Sequence, residues 1–122
     1  MSRRSQFSPA ELTYLREGGK LGRVASLGKD GTPHVVPTGW TYNAEHNTID
    51  VTGRDVPSTR KFADVMRHPR ASIVIDDIAS RNPFTPRAVE VRGRAEAVRP
   101  EGLIRIHPEE VASWGLGTPS GA

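Results

Sequence analysis

The feature that most constrains the fold is a stretch of clean two-residue alternation, 88-AVEVRGRAEAV-98. Small or apolar residues occupy every second position from Val89 to Ala97, and charged residues occupy all four positions between them. Such alternation places the two sets of side chains on opposite faces of a β-strand. The small residues Gly93 and Ala95 suit a strongly curved sheet, because large side chains would not fit at its bends. The stretch therefore predicts one strand of a small barrel.

Five further segments have the length and composition of strands, and turn residues separate most of them. Asp30-Gly31 predicts a tight antiparallel hairpin between the segments 21–28 and 33–43. The apolar run 71–78 predicts a strand buried on both faces, whereas 79–87 predicts a loop and 108–113 a helical turn. The five strand segments are 21–28, 33–43, 48–53, 71–78 and 103–107. With 88–98 they predict a mainly β fold, a six-stranded antiparallel split β-barrel with short helices.

Two short helices are expected beside the strands. Ser8 and Glu11 have the spacing of a capping box, which predicts a helix over 8–17. In 57-PSTRKFADVMRHP-69 the apolar residues return at helical spacing, so the segment predicts a second helix that Ser58 caps.

Length and composition bound the classes of protein that remain. A chain of 122 residues with 35% hydrophobic residues predicts a single domain over 1–122, with 117–122 frayed. The chain has no cysteine, which excludes disulfides and thiolate chemistry. Its apolar runs are shorter than the ~20 residues of a membrane span, and its first residues lack the apolar core of a signal peptide. We therefore expect a cytoplasmic protein with no membrane partner.

Motifs for several kinds of chemistry are missing from the sequence. The four histidines show no paired metal-ligand spacing, so no metal site is predicted. Neither a glycine-rich phosphate loop nor a nucleophile elbow occurs, which disfavours kinase and hydrolase chemistry. The net charge is +3, and arginine supplies 14 of the 17 basic residues. This favours anionic ligands, but a general preference for arginine codons explains it equally well.

The segment 52-TGRDVPSTRKFADV-65 has the features of an anion site. A predicted strand ends at Thr52-Gly53-Arg54, and Arg60 and Lys61 fall in the first turn of the following helix. Amide N–H groups, the positive end of the helix dipole and two cationic side chains together favour a phosphate or carboxylate. The alternative is a solvated helix face on which Lys61 points to water.

The second predicted strand, 33-PHVVPTGWTYN-43, contains an internal proline and a Thr-Gly step. Proline removes a donor from the strand ladder and glycine weakens it, so neither suits an ordinary central strand. The pattern indicates a strand whose backbone is left partly open.

Taken in order, several segments resemble the pyridoxamine 5'-phosphate oxidase-like split β-barrel proteins, and more narrowly the flavin and deazaflavin oxidoreductases of actinobacteria. The resemblance spans about residues 7–116 and is carried by 22-GRVASLGKDGTPHVVPTGWTYN-43, 48-TIDVTGR-54, 57-PSTRKFADV-65, 73-IVIDDI-78, 86-PRAVEVRGRAE-96 and 104-IRIHPEEVASWGL-116. It implies a homodimer that binds coenzyme F420 in the grooves between subunits and transfers a hydride to a small unsaturated or quinone-like substrate.

The resemblance also implies cofactor-binding residues, and it implies no catalytic side chain. Three residues would line the ring, three would approach the ribityl chain and three would hold the phosphate. In that order they are Val36, Pro37 and Thr38; Thr52, Gly53 and Arg54; and Ser58, Arg60 and Lys61. FMN is the alternative cofactor. Basic residues such as Lys20, Arg23 or Arg54 would suit the acidic tail of F420, whereas FMN ends at its phosphate.

Other interpretations stay open at this point. The barrel could bind cofactor or haem without catalysis, or bind single-stranded nucleic acid, although no strand interleaves aromatic and basic residues as a stacking platform does. Trp40 and Trp114 are expected to pack, while Trp114 or Phe84 could form part of the partner's pocket wall. Asp76 and Asp77 point to opposite faces of a strand and so cannot act together on one atom; at least one is expected to pair with an arginine.

Overall fold

The computed structural model describes residues 4–117 as six antiparallel strands and two α-helices. The elements are α1 (Pro9–Glu17), β1 (Gly22–Leu27), β2 (Pro33–Asn43), β3 (Thr48–Thr52), a 3-10 turn (Val56–Ser58), α2 (Arg60–Arg67), β4 (Arg70–Arg81), β5 (Phe84–Val98) and β6 (Leu103–Trp114). The strands close into a barrel in the order β1-β2-β3-β6-β5-β4. The predicted fold class is confirmed. Of the tail predicted to fray, all but Gly117 lies outside the described residues.

The core is the inside of this barrel, and alternating positions of the strands fill it. Valine and isoleucine dominate because β-branched side chains pack well on a curved, pleated surface. Helix α2 packs against β1 and β5 and adds the buried Phe62 and Val65. The strand residues with 2% exposure or less include Val24, Ile49, Val51, Ile73, Ile75, Val89, Val91, Ile104 and Ile106.

The capping box of α1 is present as the sequence predicts. Ser8 Oγ accepts a hydrogen bond from the Glu11 amide at 3.2 Å, and the Glu11 carboxylate accepts one from the Ser8 amide at 2.8 Å. The same buried carboxylate also accepts from Arg4 at 2.7 Å and from Ser113 of β6. Glu11 therefore both starts the helix and fastens it to the barrel.

The loop expected over 79–87 is wrong, because most of it is strand. Strand β4 runs to Arg81, and β5 begins at Phe84, so only two residues connect them. Strand β6 pairs with β5 no further than Ala88, so among the described residues the start of β5 has β4 as its only strand partner. Pro86 can lie there opposite Ile78 because proline is tolerated where a strand is paired on one side only.

The helical turn expected over 108–113 is also wrong, since β6 continues through Trp114. The pairing of β5 and β6 shifts register next to Gly93, which lies opposite Pro108. Proline is accommodated at such bulges. A Cβ atom on Gly93 would lie 2.0 Å from the carbonyl oxygen of His107, so glycine at this position lets the two backbones approach.

The apolar run 71–78 predicts that β4 is buried on both faces, and this prediction is wrong. Ala71, Ile73 and Ile75 face the core, whereas Val74 is half-buried and Asp76 is exposed. Within residues 4–117, no helix is long and apolar enough to span a bilayer.

Candidate functional site

Strand β2 is open along the half that precedes Gly39. Strand β3 pairs only with residues 39–43 of β2, so within residues 4–117 the segment 33–38 has a strand neighbour, β1, on one side only. None of residues 33–37 is buried, and Val35 and Val36, which point to opposite faces, are 66% and 40% exposed. The sequence-based prediction of a partly open strand agrees with this geometry.

Helix α2 begins beside this open strand. Thr59 is its N-cap: Thr59 Oγ1 accepts a hydrogen bond from the Phe62 amide at 3.4 Å. Ser58, the predicted cap, lies in the preceding 3-10 turn, so that prediction is wrong. Arg60 and Lys61 are the first two helical residues, and their amides have no acceptor within the helix.

The charge at this helix end is unfavourable in the protein by itself. The first turn of α2 contains Arg60 and Lys61 but no acidic residue. Cations at the positive end of a helix dipole cost roughly 0.3–1 kcal/mol each at exposed positions. A bound anion would reverse this cost, because the amides, the dipole and both side chains would then act on it together.

A cavity of about 690 Å³ lies between the open strand and the start of α2. One wall is mostly apolar and comes from β2, while the other is cationic and comes from the helix. The lining residues are Ser26, Pro33, His34, Val35, Val36, Pro37, Thr59, Arg60 and Lys61. A ligand with a flat apolar part and an anionic part matches this division.

The cavity brings together four of the predicted cofactor residues, Val36, Pro37, Arg60 and Lys61. The side chain of Thr38 is buried instead, and its hydroxyl donates to the carbonyl oxygen of Thr52 at 3.3 Å. The remaining predicted residues do not line this cavity, and their cofactor roles stay predictions. They are Thr52, Gly53 and Arg54 at the end of β3, and Ser58.

A second cavity, of about 490 Å³, adjoins the first and shares two residues with it, His34 and Arg60. Its basic residues differ from those that the sequence suggested for an acidic tail. Lys20 donates to Glu17 at 3.1 Å, and Arg23 pairs with Asp76, so both are engaged elsewhere. The second cavity is lined by Lys29, Asp30, His34, Arg60, Asp64 and Arg67.

Sequence reasoning missed five residues of the first cavity, Ser26, Pro33, His34, Val35 and Thr59. Ser26 and His34 are partners across the β1–β2 hairpin, so the Asp30-Gly31 turn already set their register. Thr59 was one residue from the predicted cap. In each case the strand or turn was recognised, but the side chain was not assigned to the site.

Neither aspartate at the end of β4 is free for acid–base chemistry. Asp76 pairs with Arg23. Asp77 accepts from Arg87 at 2.6 Å and from the Tyr14 hydroxyl at 2.9 Å. The hydrogen bond from Arg87 lowers the pKa of Asp77, so this carboxylate stays ionised. The expectation that at least one aspartate pairs with an arginine is confirmed for both.

The larger aromatic residues lie away from the cavity. Trp40 donates from Nε1 to the Lys20 carbonyl oxygen at 2.7 Å and packs against the core, as expected. Phe84 and Trp114 are exposed and line no part of the cavity within their own chain. The described part of the chain holds no group of three or more His, Asp or Glu side chains placed to bind a metal ion.

Comparison with known proteins identifies a matching family and a relative with a named activity. The model of the family described as pyridoxamine 5'-phosphate oxidase matches residues 8–115. A 5a,11a-dehydrotetracycline/5a,11a-dehydrooxytetracycline reductase of Streptomyces rimosus is 39% identical over 120 residues, which cover 90% of this chain and 84% of that protein.

Two solved structures show how widely the fold is used. One, described as an F420 reductase, has 18% identity and a TM-score of 0.62, with 81% of this chain and 94% of that chain covered. The other, a heme binding protein from Mycobacterium smegmatis, has 19% identity and a TM-score of 0.65, with 90% and 55% covered. At these identities the likeness concerns the fold alone, and the fold does not select the cofactor.

Proposed function

Because the chain belongs to the pyridoxamine 5'-phosphate oxidase family, we propose that it is an oxidoreductase that binds a phosphorylated deazaflavin, coenzyme F420, between β2 and α2. Its reaction is the transfer of a hydride to a small, conjugated, unsaturated substrate. The proposal has three parts: the class of reaction, the place of the cofactor and its identity.

The cavity between β2 and α2 is the observation that carries the proposal. The open strand at Val36 and Pro37 offers a flat surface and main-chain groups to a ring, and Arg60 and Lys61 offer positive charge to a phosphate. A flavin or deazaflavin has both parts in one molecule, joined by a flexible ribityl chain. A ligand without an anionic group would leave the two cations at the helix end uncompensated.

The class of reaction is supported by the reductase of Streptomyces rimosus, whose named substrates carry a double bond between two ring carbons. A reductase of a carbon–carbon double bond needs a two-electron donor, which a reduced flavin or deazaflavin supplies. The chain's own residues then have to bind, orient and exclude water. Asp76 and Asp77 line neither cavity and each pairs with an arginine, so no acid–base step is assigned to them.

The choice of F420 over FMN is supported by the second cavity. FMN ends at its phosphate, whereas F420 continues beyond it into a chain of carboxylates. Space for such a chain exists next to Arg60, where Lys29 and Arg67 add two further cations. Asp30 and Asp64 also line that space, so it is mixed in charge rather than purely basic. FMN is the alternative, and it would keep the same strand and the same helix end.

We also propose that the active unit is a homodimer with two copies of the cavity. Val35 and Val36 leave apolar surface uncovered on both faces of β2. A second copy of this chain seated against β2 would cover that surface and close the cavity, and two-fold dimers are the commonest arrangement. The other expected partner is a small unsaturated substrate, and no nucleic-acid partner is expected.

Fluorescence titration of the purified protein with F420, and separately with FMN, tests the proposal. We expect F420 to bind with a Kd of about 10 μM or tighter, and Lys61→Ala to lose at least tenfold. Arg94→Ala is the matched control, because Arg94 is exposed on β5 and lines neither cavity. A preference for FMN would change the cofactor and keep the site. Binding of neither ligand would contradict the oxidoreductase proposal.

A further inference from the structure

A buried carboxylate on α2 lies directly behind the cavity, and the proposed reaction makes no use of it. Asp64 is 1% exposed, and it accepts from Ser26 Oγ and from His34 Nδ1, both at 2.8 Å. Arg67 donates to it at 3.3 Å. Burial alone would raise the pKa of Asp64, but the hydrogen bonds from His34, Ser26 and Arg67 hold it below its usual value. Asp64 is therefore ionised at neutral pH.

This contact determines which nitrogen of His34 carries a proton. An ionised carboxylate can only accept hydrogen bonds, so Nδ1 of His34 must be the donor. The contact leaves Nε2 for another partner. The side chain of His34 is 29% accessible, and it forms part of the wall of both cavities.

Gly28 makes room for the imidazole ring of His34. A Cβ atom on Gly28 would lie 2.6 Å from Cε1 and 2.8 Å from Nε2 of His34, closer than real Cβ atoms approach. The backbone of Gly28 thus packs beside the Cε1 and Nε2 atoms of the imidazole ring. Asp64 and Gly28 therefore both hold the imidazole in place.

The ring lies at the cationic end of the cavity. Arg60 and Asp64 are four residues apart and share one face of α2. His34 reaches Asp64, and both His34 and Arg60 line both cavities, the first of which Lys61 also lines. In its doubly protonated form an imidazole donates from both nitrogens and can bridge a carboxylate and an anion.

We infer that His34 binds the phosphate group of the cofactor through Nε2, beside Arg60 and Lys61, and that Asp64 positions its ring. This inference rests on the proposed function and adds a phosphate ligand that lies on β2, not on the helix. It also gives the cluster of Ser26, Asp64 and His34 a role. The cluster joins β2, which carries the proposed site for the cofactor ring, to α2, which carries Arg60 and Lys61.

Two substitutions of His34 separate ligand binding from a merely structural role. In His34→Asn the amide nitrogen takes the place of Nδ1, so the bond to Asp64 is kept and Nε2 is lost. In His34→Gln the amide nitrogen takes the place of Nε2, so the bond to Asp64 is lost. If His34 binds the phosphate, the glutamine variant binds the cofactor better than the asparagine variant. If His34 only fastens α2 to β2, the order is reversed.

Each variant is titrated with F420 and with FMN, and with the counterpart of each that lacks the phosphate: riboflavin for FMN, and the corresponding deazaflavin alcohol for F420. We expect His34→Asn to weaken binding of the phosphorylated form about tenfold or more, as for a lost hydrogen bond to a charged group. Binding of the alcohol should change less than twofold. Thermal unfolding of each variant shows that it is folded.

Two results would overturn the inference while the proposed function stands. In one, His34→Asn binds the phosphorylated form as tightly as the unaltered protein does. In the other, it loses affinity equally for the phosphorylated form and the alcohol, which would show that His34 shapes the cavity without touching the phosphate. If the unaltered protein binds neither F420 nor FMN, the proposed function fails and this inference fails with it.

Discussion

The wall of the barrel formed by β3, β5 and β6 differs sharply from the edge formed by β2 and α2. In the wall, residues 49–51 of β3 and 104–106 of β6 have strand partners on both sides, and Ile49, Ile104 and Ile106 are completely buried. At the edge, residues 33–38 of β2 pair with β1 alone, valine side chains are exposed, and Arg60 and Lys61 lie at the unfavourable end of a helix. The wall holds the fold together, whereas the edge gives up stability for a binding surface.

This contrast predicts that stability and binding can be changed separately. Removing apolar volume from the wall should lower the free energy of unfolding and leave cofactor affinity alone. Removing positive charge from the edge should lower cofactor affinity without lowering the free energy of unfolding. A wall substitution that lowers cofactor affinity directly, or a charge-removing edge substitution that lowers stability, would contradict this comparison.

The largest effect is expected in the wall. Ile106→Ala removes buried methyl groups and leaves a void, which typically costs about 2–5 kcal/mol of unfolding free energy. Urea denaturation measures this loss, and a titration at low temperature checks that the folded variant still binds cofactor. A loss of affinity without a loss of stability would mean that the wall takes part in the site.

The next effect concerns pH and the attachment of α1 to the wall. Burial would raise the pKa of Glu11, but hydrogen bonds from Arg4, Ser113 and Ser8 lower it from 4.5 to about 2. Because the pKa in the folded protein lies below that in the unfolded chain, the stabilisation is complete above pH 4.5 and is lost as the pH falls towards 2. A lowering of this size corresponds to roughly 3 kcal/mol.

Glu11→Gln should therefore be destabilised at pH 7 and approach the unaltered protein at pH 3. Urea denaturation of both proteins at the two pH values measures the difference. An equal difference at both values would show that the charge of Glu11 contributes nothing.

A smaller effect is expected for the proposed dimer. Val35→Asp places a carboxylate on the surface that a second copy would cover, which should weaken self-association at least tenfold, or about 1.4 kcal/mol. Sedimentation velocity measures this, and Met66→Asp is the control because Met66, on α2, is 60% exposed. Equal weakening by both substitutions would move the interface away from β2.

The smallest expected effect is an increase in the stability of the protein rather than a loss. In the absence of cofactor, Lys61→Ala should stabilise the protein by about 0.3–1 kcal/mol at low ionic strength, because it removes a cation from the positive end of α2. Lys29→Ala, outside the helix, should have no such effect. Thermal unfolding of the two variants in low salt makes the comparison. Destabilisation by Lys61→Ala would remove the argument that this helix end is built for an anion.

Local sequence patterns were enough to predict most of the fold. Period-two alternation located β5, the Asp30-Gly31 turn located the β1–β2 hairpin, and the capping box located α1. The segments 79–87 and 108–113, where the predictions are wrong, both contain proline. Whether a strand tolerates proline depends on its neighbours, which the sequence does not show. Pro86 lies where β5 is paired on one side, and Pro108 lies at a bulge.

The candidate site was predictable only where its chemistry lies in one continuous segment. The prolines of β2 and the cations at the start of α2 can each be recognised from the sequence, and the structure places them in one cavity. The cluster of Ser26, His34 and Asp64 could not be found this way. Its members lie on three elements, and each has the appearance of an ordinary strand or helix residue until the barrel closes.

The most direct test of the central claim is a crystal structure of the protein saturated with F420. The account predicts the phosphate within hydrogen-bond distance of Arg60 and Lys61, with the ring against the main chain at Val36 and Pro37. A cofactor bound with its phosphate away from the start of α2, or in another cavity of the barrel, would contradict it.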